Sequence, residues 1–246
     1  MSTLLRMIPS VLMIVSPILI TAIGGMICEK SGVVNIALEG LMGLGACAAA
    51  SAHVLMEATG MGTPSVWLAL AIGAGVGLVF SIIHAVAAIN FNADQTISGT
   101  GINLLADGVT IFVAQILFSA DRTREFRMGM QTDKLGIYPT AYIALVVVIL
   151  AWFVLYKLPF GMHLRACGEH PQAADSVGIN VRKIRYIAVL TSGLLAGLAG
   201  GCIVLTQTIQ YTSNTINGRG FIALAAVSFG RWRPVGVTFA AFLFGT

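Results

Sequence analysis

YIAVLTSGLLAGLAGGCIVLTQTI, from Tyr186 to Ile209, contains no charged side chain. At about 1.5 Å per residue in a helix, such a run crosses the roughly 30 Å hydrocarbon core of a bilayer. Gly193, Gly197 and Gly201 recur at every fourth position, so they share one helix face. A glycine face lets a second helix approach until the backbones touch, and apolar helices in lipid gain dispersion energy that way. The stretch predicts a membrane helix with another helix packed on its glycines.

The rest of the chain fits that environment. Of its 246 residues, 57% are hydrophobic and only 10% charged, and the mean hydropathy is +0.89. A soluble domain carries about 25% charged residues, so this chain cannot cover a globular surface. Further apolar runs cover Met7–Ile27, Ile36–Leu55, Ser65–Ile89, Gln95–Phe118 and Tyr138–Tyr156. Phe221–Phe229 is too short to span, and a last run begins near Pro234. Backbone groups in lipid must bond within their own segment, and the alternating strands of a barrel are absent from the pattern. The expected fold is all-α: a polytopic helix bundle of about seven or eight membrane segments, forming one permease-like domain over residues 1–246. Gly73 and Gly77 repeat the spacing in the third run, which gives that helix a close-packing face as well.

Several functions drop out at this point. A net charge of +4 in a membrane chain sets orientation through short loops rather than binding nucleic acid. Cys28, Cys47, Cys167 and Cys202 lie far apart without a CxxC pair and read as small buried residues. His53, His84, His163 and His170 lack metal-ligand spacing. No Gly is followed by Lys, so a phosphate-cradling P-loop is absent. Neither metal, cofactor nor catalytic residue is expected.

Between the fifth and sixth runs the chain turns polar. Within the loop 158–185, Pro171 suits the first turn of a helix, Gly178 suits a left-handed end, and Glu169 precedes the start, where the helix dipole favours negative charge. So short a helix is unstable alone in water and needs a surface to pack on. The stretch Gln172-Ala173-Ala174-x-x-x-Gly178 resembles the EAA-x-x-x-G coupling loop of ATP-binding-cassette (ABC) importer permeases, with Gln for Glu. EKSGVVNIALEG (Glu29–Gly40), QTISGTGINLLADG (Gln95–Gly108), FGMHLRACGEHPQAADSVGIN (Phe160–Asn180) and GRGFIALAAVSFGRWRPVG (Gly218–Gly236) resemble, in order, the nucleoside branch of the simple-sugar and branched-chain amino-acid importer permeases. The resemblance implies a bacterial inner-membrane subunit translocating nucleosides. It implies ABC ATPase subunits that hydrolyse ATP, a second permease chain in a heterodimer, and an extracytoplasmic solute-binding protein. Glu169, Pro171, Gln172, Ala173, Ala174, Asp175 and Gly178 then form the cytoplasmic ATPase-coupling element. Members of that branch continue for some two further spans, so the chain is expected to be C-terminally incomplete relative to them.

Polar groups within spans are costly and usually face a cavity. Glu29, Asn35 and Glu39 cluster around a helix break, and Asn103 and Asp107, four apart, share a face. These five are the expected substrate-pathway residues. Phe91, Trp67 and Phe221 are candidates to stack on a base, and Gly218-Arg219-Gly220 reads as the entry to a half-helix. The rival solutes are simple sugars or branched-chain amino acids. The rival mechanism is an ion-coupled secondary transporter with Asp107 or Glu39 carrying protons.

Overall fold

A computed structural model describes residues 2–133 and 136–245, with the backbone course alone for residues 2–7. The described residues form helices and loops, with no strand. The helices are α1 (Ser2–Glu29), α2 (Leu38–Ala58), α3 (Pro64–Ala85), α4 (Gln95–Phe118), α5 (Pro139–Lys157), α6 (Pro159–Glu169), α7 (Pro171–Ser176), α8 (Val181–Ile203), α9 (Arg219–Phe229) and α10 (Pro234–Gly245). Among the described residues, six helices are long and apolar enough to cross a membrane, and α9 and α10 are shorter apolar helices.

The quoted stretch is the centre of the bundle. α8 packs on α1, α2 and α3, and its glycines decide how closely. A Cβ at Gly197 would lie 2.4 Å from the Gly73 carbonyl oxygen, and one at Gly193 would lie 2.3 Å from Ser81 Cβ. The approach of α2 is equally tight, since a Cβ at Gly200 would meet the Met42 carbonyl oxygen at 2.0 Å. Side chains larger than hydrogen would push these helices apart and forfeit the contacts. α4 and α5 sit at the periphery and expose Leu104, Phe112, Ile116, Leu145 and Ile149, as lipid- or partner-facing helices do.

Two helices end in π-helical turns, Val86–Asn90 after α3 and Val204–Thr208 after α8. Pro17 lies inside α1 and offers no N–H to the carbonyl of Met13. Gln207, in the second π turn, donates its side-chain N–H to that carbonyl at 2.9 Å. The proline's missing bond is thus replaced from a neighbouring helix, as membrane interiors require.

Two segments within the bundle are not helical. The first, 30–37, joins α1 to α2. The second, 209–218, joins the π turn after α8 to α9. α9 has eleven residues and reaches only about 16 Å, roughly half the hydrocarbon thickness. The bundle has two ends. The ends of α1, α3 and α5, the start of α4 and α8, and all of α6 and α7 lie at one, called here the hairpin end. The loop 119–138 lies at the other.

The polar stretch between α5 and α8 differs from its sequence reading. It holds two helices rather than one, and Glu169 is the last residue of α6 rather than a free residue before α7. α8 already begins at Val181, so Arg182, Lys183 and Arg185 lie in its first turns. The composition of Pro159–Glu169 is too polar to signal a helix by hydropathy. It forms because Leu164 and Cys167 are fully buried on one face.

A mid-membrane cavity between two helix breaks

Glu39, in the first turn of α2, accepts two backbone hydrogen bonds. Its Oε1 accepts from Gly218 N–H at 2.7 Å and its Oε2 from Gly220 N–H at 2.6 Å. The start of α9 leaves these amides without helical partners, and a carboxylate is the acceptor that the helix dipole favours most. The approach requires glycine. A Cβ at Gly220 would lie 2.6 Å from Glu39 Cα, and Gly218 takes a left-handed φ of +83°. Arg219 sits beside this carboxylate and interacts with its charge, while its Nη1 is buried without a hydrogen-bond partner among the described residues. A charge pair inside a bundle costs less than either charge alone.

Asn103, eight residues into α4 and so about 12 Å from its start, secures the same corner. Its Oδ1 accepts from Gly40 N–H at 2.8 Å, and its Nδ2 donates to the Ile36 carbonyl at 3.1 Å. Both bonds replace partners that the helix break denies to the backbone.

Beside this join opens a cavity of about 450 Å³, lined by Glu39, Gly40, Thr100, Asn103, Leu104, Asp107, Ser213, Asn214, Asn217 and Phe221. Its volume is that of a small-molecule site. Amide, hydroxyl and carboxylate groups surround one large aromatic ring, Phe221, which is half exposed. Asp107 is exposed, and among the described residues the Thr110 hydroxyl bonds its backbone carbonyl while no hydrogen bond engages its carboxylate. Its carboxylate therefore has acceptor capacity to offer.

The five pathway residues expected from the sequence separate into two groups. Glu39, Asn103 and Asp107 line the cavity. Glu29 lies at the hairpin end, where the Trp232 indole N–H donates to its carboxylate. Asn35 is wholly buried. It donates to Ser192 Oγ at 3.0 Å and accepts from Ala37 N–H at 3.1 Å, which makes it a support for the break. Trp67 and Phe91 are remote from the cavity. His53 bonds the Met128 carbonyl, and His84 bonds Ser98 Oγ and the Val34 carbonyl, so both act in backbone support. The four cysteines are buried thiols.

Ser213, Asn214 and Asn217 were not singled out from the sequence. Their signal is the dense Ser/Asn/Thr run between Gln210 and Gly218, placed between apolar runs too closely spaced for an ordinary loop.

At the hairpin end, α7 begins at Pro171 and Gly178 adopts a φ of +85°. The chain buries one residue of this helix, Ala174, and leaves Gln172, Ala173, Asp175 and Val177 exposed. A groove of about 560 Å³ runs between α7, the start of α8 and the turn after α3, lined by Asn92, Gln172, Asp175, Asn180, Arg182 and Arg185 among others. Burial and then the positive charge of Arg165 hold the nearby Lys30 ammonium below the usual lysine range, because both penalise its charged form.

A family model described as "Branched-chain amino acid transport system / permease component" matches residues 7–246. The chain belongs to that permease family. It is 42% identical to the guanosine ABC transporter permease protein NupQ of Bacillus subtilis, over 97% of this chain and 79% of that one. It is 37% identical to the nucleoside ABC transporter permease protein NupC of Lactococcus lactis, over 99% and 81%. Similarity extends to the putative glucose ABC transporter permease protein TsgC13 of Haloferax volcanii, at 33% over 93% and 71%. The protein is a multi-pass membrane permease subunit, and the all-helical bundle agrees with that membership.

Proposed function

We propose that this chain translocates nucleosides through the cavity beside Glu39, as one permease subunit of an ATP-driven importer in the cell membrane. The observation that carries the reading is the pairing of relatives with lining. Two relatives above 35% identity over nearly the whole chain are guanosine and nucleoside permeases, and the cavity offers what a neutral nucleoside needs. Phe221 presents a ring for a base to stack on, at about 1–3 kcal/mol for such a contact. Asn214, Asn217 and Asp107 supply donors and acceptors for base edges and ribose hydroxyls. Arg219 and Glu39 offset one another, which leaves Asp107 as the charged group open to the solute.

α7 is the element for an ATPase subunit to grip. Its short length, its single inward residue and its exposed Ala173 and Val177 leave a peg with a groove beside it. Lys30, Lys157, Arg165, Arg182, Lys183, Arg185, Arg231 and Arg233 gather at this end, against Arg6, Arg122, Arg124 and Arg127 at the other among the described residues. The positive-inside rule then sets the hairpin end in the cytoplasm, where ATP is. A second permease chain belongs against α4, because Thr100, Gly101, Asp107 and Gly108 are exposed there and polar groups do not face lipid. A solute-binding protein would deliver to the loop 119–138.

The test is uptake of labelled nucleosides into vesicles holding this chain with its ATPase, second permease and binding protein. Uptake should require ATP and persist when the proton gradient is collapsed. Val177→Glu should abolish uptake by dislodging the ATPase while the chain still inserts. Ala174 is the poorer site for that test, because it is buried within this chain. Asp107→Asn should weaken nucleoside uptake with ATPase association intact. Uptake driven by a proton gradient without ATP would establish the secondary-transporter mechanism instead.

A further inference from the structure

The α6–α7 hairpin and the cavity lie at different depths, and one short segment touches both. Its near end is wired to the hairpin through Arg185. Arg185 Nε donates to the Ser31 carbonyl at 3.1 Å, and Nη2 donates to the Cys167 carbonyl of α6 at 3.5 Å. Beneath that bridge the two backbones touch, since a Cβ at Gly168 would lie 2.3 Å from the Lys30 carbonyl oxygen. The far end of the segment is Glu39, which holds Gly218 and Gly220 at the cavity.

The same segment also holds the other end of α9, through the bond from Trp232 to Glu29. Both ends of α9 are therefore fastened to carboxylates of one stretch, Glu29 and Glu39. Phe221 and Asn217, on and beside α9, form part of the cavity wall. A displacement of the stretch carries α9, and with it that wall.

We infer that the stretch 29–39 is the mechanical link between the coupling hairpin and the solute cavity, and that Arg185 is the positioning residue that joins it to α6. This rests on the ATP-driven reading above. The joint asks for arginine. Its planar fork reaches two carbonyls on different elements at once, whereas a lysine ammonium is a single point charge on a flexible stem. An arginine committed to backbone carbonyls also keeps the hairpin and the break in register without a carboxylate whose protonation would release them.

The experiment reads the cavity rather than uptake. Ser213→Cys, on the cavity wall, is labelled with a maleimide in the assembled complex, where the four native cysteines are buried and give little background. Trapping the ATPase with ADP and vanadate should change the labelling rate by roughly fivefold or more, the low end of ordinary coupling between sites. In an Arg185→Gln background, among complexes isolated with their ATPase bound, that change should be lost. Arg185→Lys should restore part of it, and Gly168→Ala, which separates the two backbones directly, should lose it with Arg185 in place. An unaltered response in both Arg185→Gln and Gly168→Ala would overturn the joint while leaving the ATP-driven reading standing. A cavity indifferent to nucleotide with Arg185 present contradicts the ATP-driven reading, and the link with it.

Discussion

The two helix breaks, 30–37 and 209–218, face the same physical problem and solve it in opposite ways. Each exposes backbone groups inside a bundle where water cannot serve them. The first break is held largely by side chains from elsewhere. Gln95 accepts from Val34 N–H at 2.7 Å, His84 bonds the Val34 carbonyl at 3.0 Å, Asn103 holds Ile36 and Gly40, and Arg185 holds Ser31. The second break and the π turn before it are held largely by backbone. Thr123, Phe126 and Met130 of the loop 119–138 donate N–H groups to the carbonyls of Tyr211, Ile209 and Leu205 at 3.0, 3.2 and 2.8 Å. One break is therefore tied to the hairpin end and the other to the opposite end. Glu39 is where they meet.

That contrast assigns different duties. A backbone held by discrete side chains from α3, α4 and α8 responds to movements of those helices. A backbone laced to a loop stays with that loop. On the proposed function, the first break suits transmission from the ATPase, and the second suits reception of solute from the other end, with the cavity between them.

Severing the join should have the largest effect. Glu39→Ala removes two charge-assisted bonds and strands Arg219, a loss of about 3 kcal/mol or more. Nucleoside uptake should fall by over about 100-fold, with the chain still present in the membrane by immunoblot. Next comes the first break. Asn103→Ala removes two bonds worth about 1–2 kcal/mol together. It should lower uptake by roughly tenfold and blunt the nucleotide response of the cavity. Smallest is the second break. Thr123→Val removes the side-chain bond from Tyr211 N–H to Thr123 Oγ1 at 2.9 Å, worth about 1 kcal/mol. Thermal unfolding in detergent should shift down by a few degrees, while the nucleotide response stays intact. Equal loss of that response in Asn103→Ala and Thr123→Val would erase the proposed division of labour.

Much of the fold was legible because hydropathy is a local property. The long runs between Met7 and Ile209 map onto α1 to α5 and α8, and the glycine spacing foretold close helix packing, which Gly193 and Gly197 make against Gly77 and Gly73. Pro171 and Gly178 marked α7 because caps are local too. α6 was missed, since its burial depends on tertiary neighbours and its composition reads as loop. The cavity was half legible. A polar residue inside an apolar run announces that it has a partner, but not which one. Glu29 and Glu39 look alike in sequence, yet Trp232, 203 residues away, claims the first, and Gly218 and Gly220 claim the second. Asn35 finds Ser192 across 157 residues. No periodicity carries that information.

The most direct test is protection of the cavity by its solute. In the assembled transporter, maleimide labelling of Ser213→Cys should slow as nucleoside is added, in proportion to occupancy, and should not respond to glucose or leucine. Labelling that no nucleoside slows, or that a sugar or amino acid slows instead, would contradict the assignment of this cavity to nucleosides.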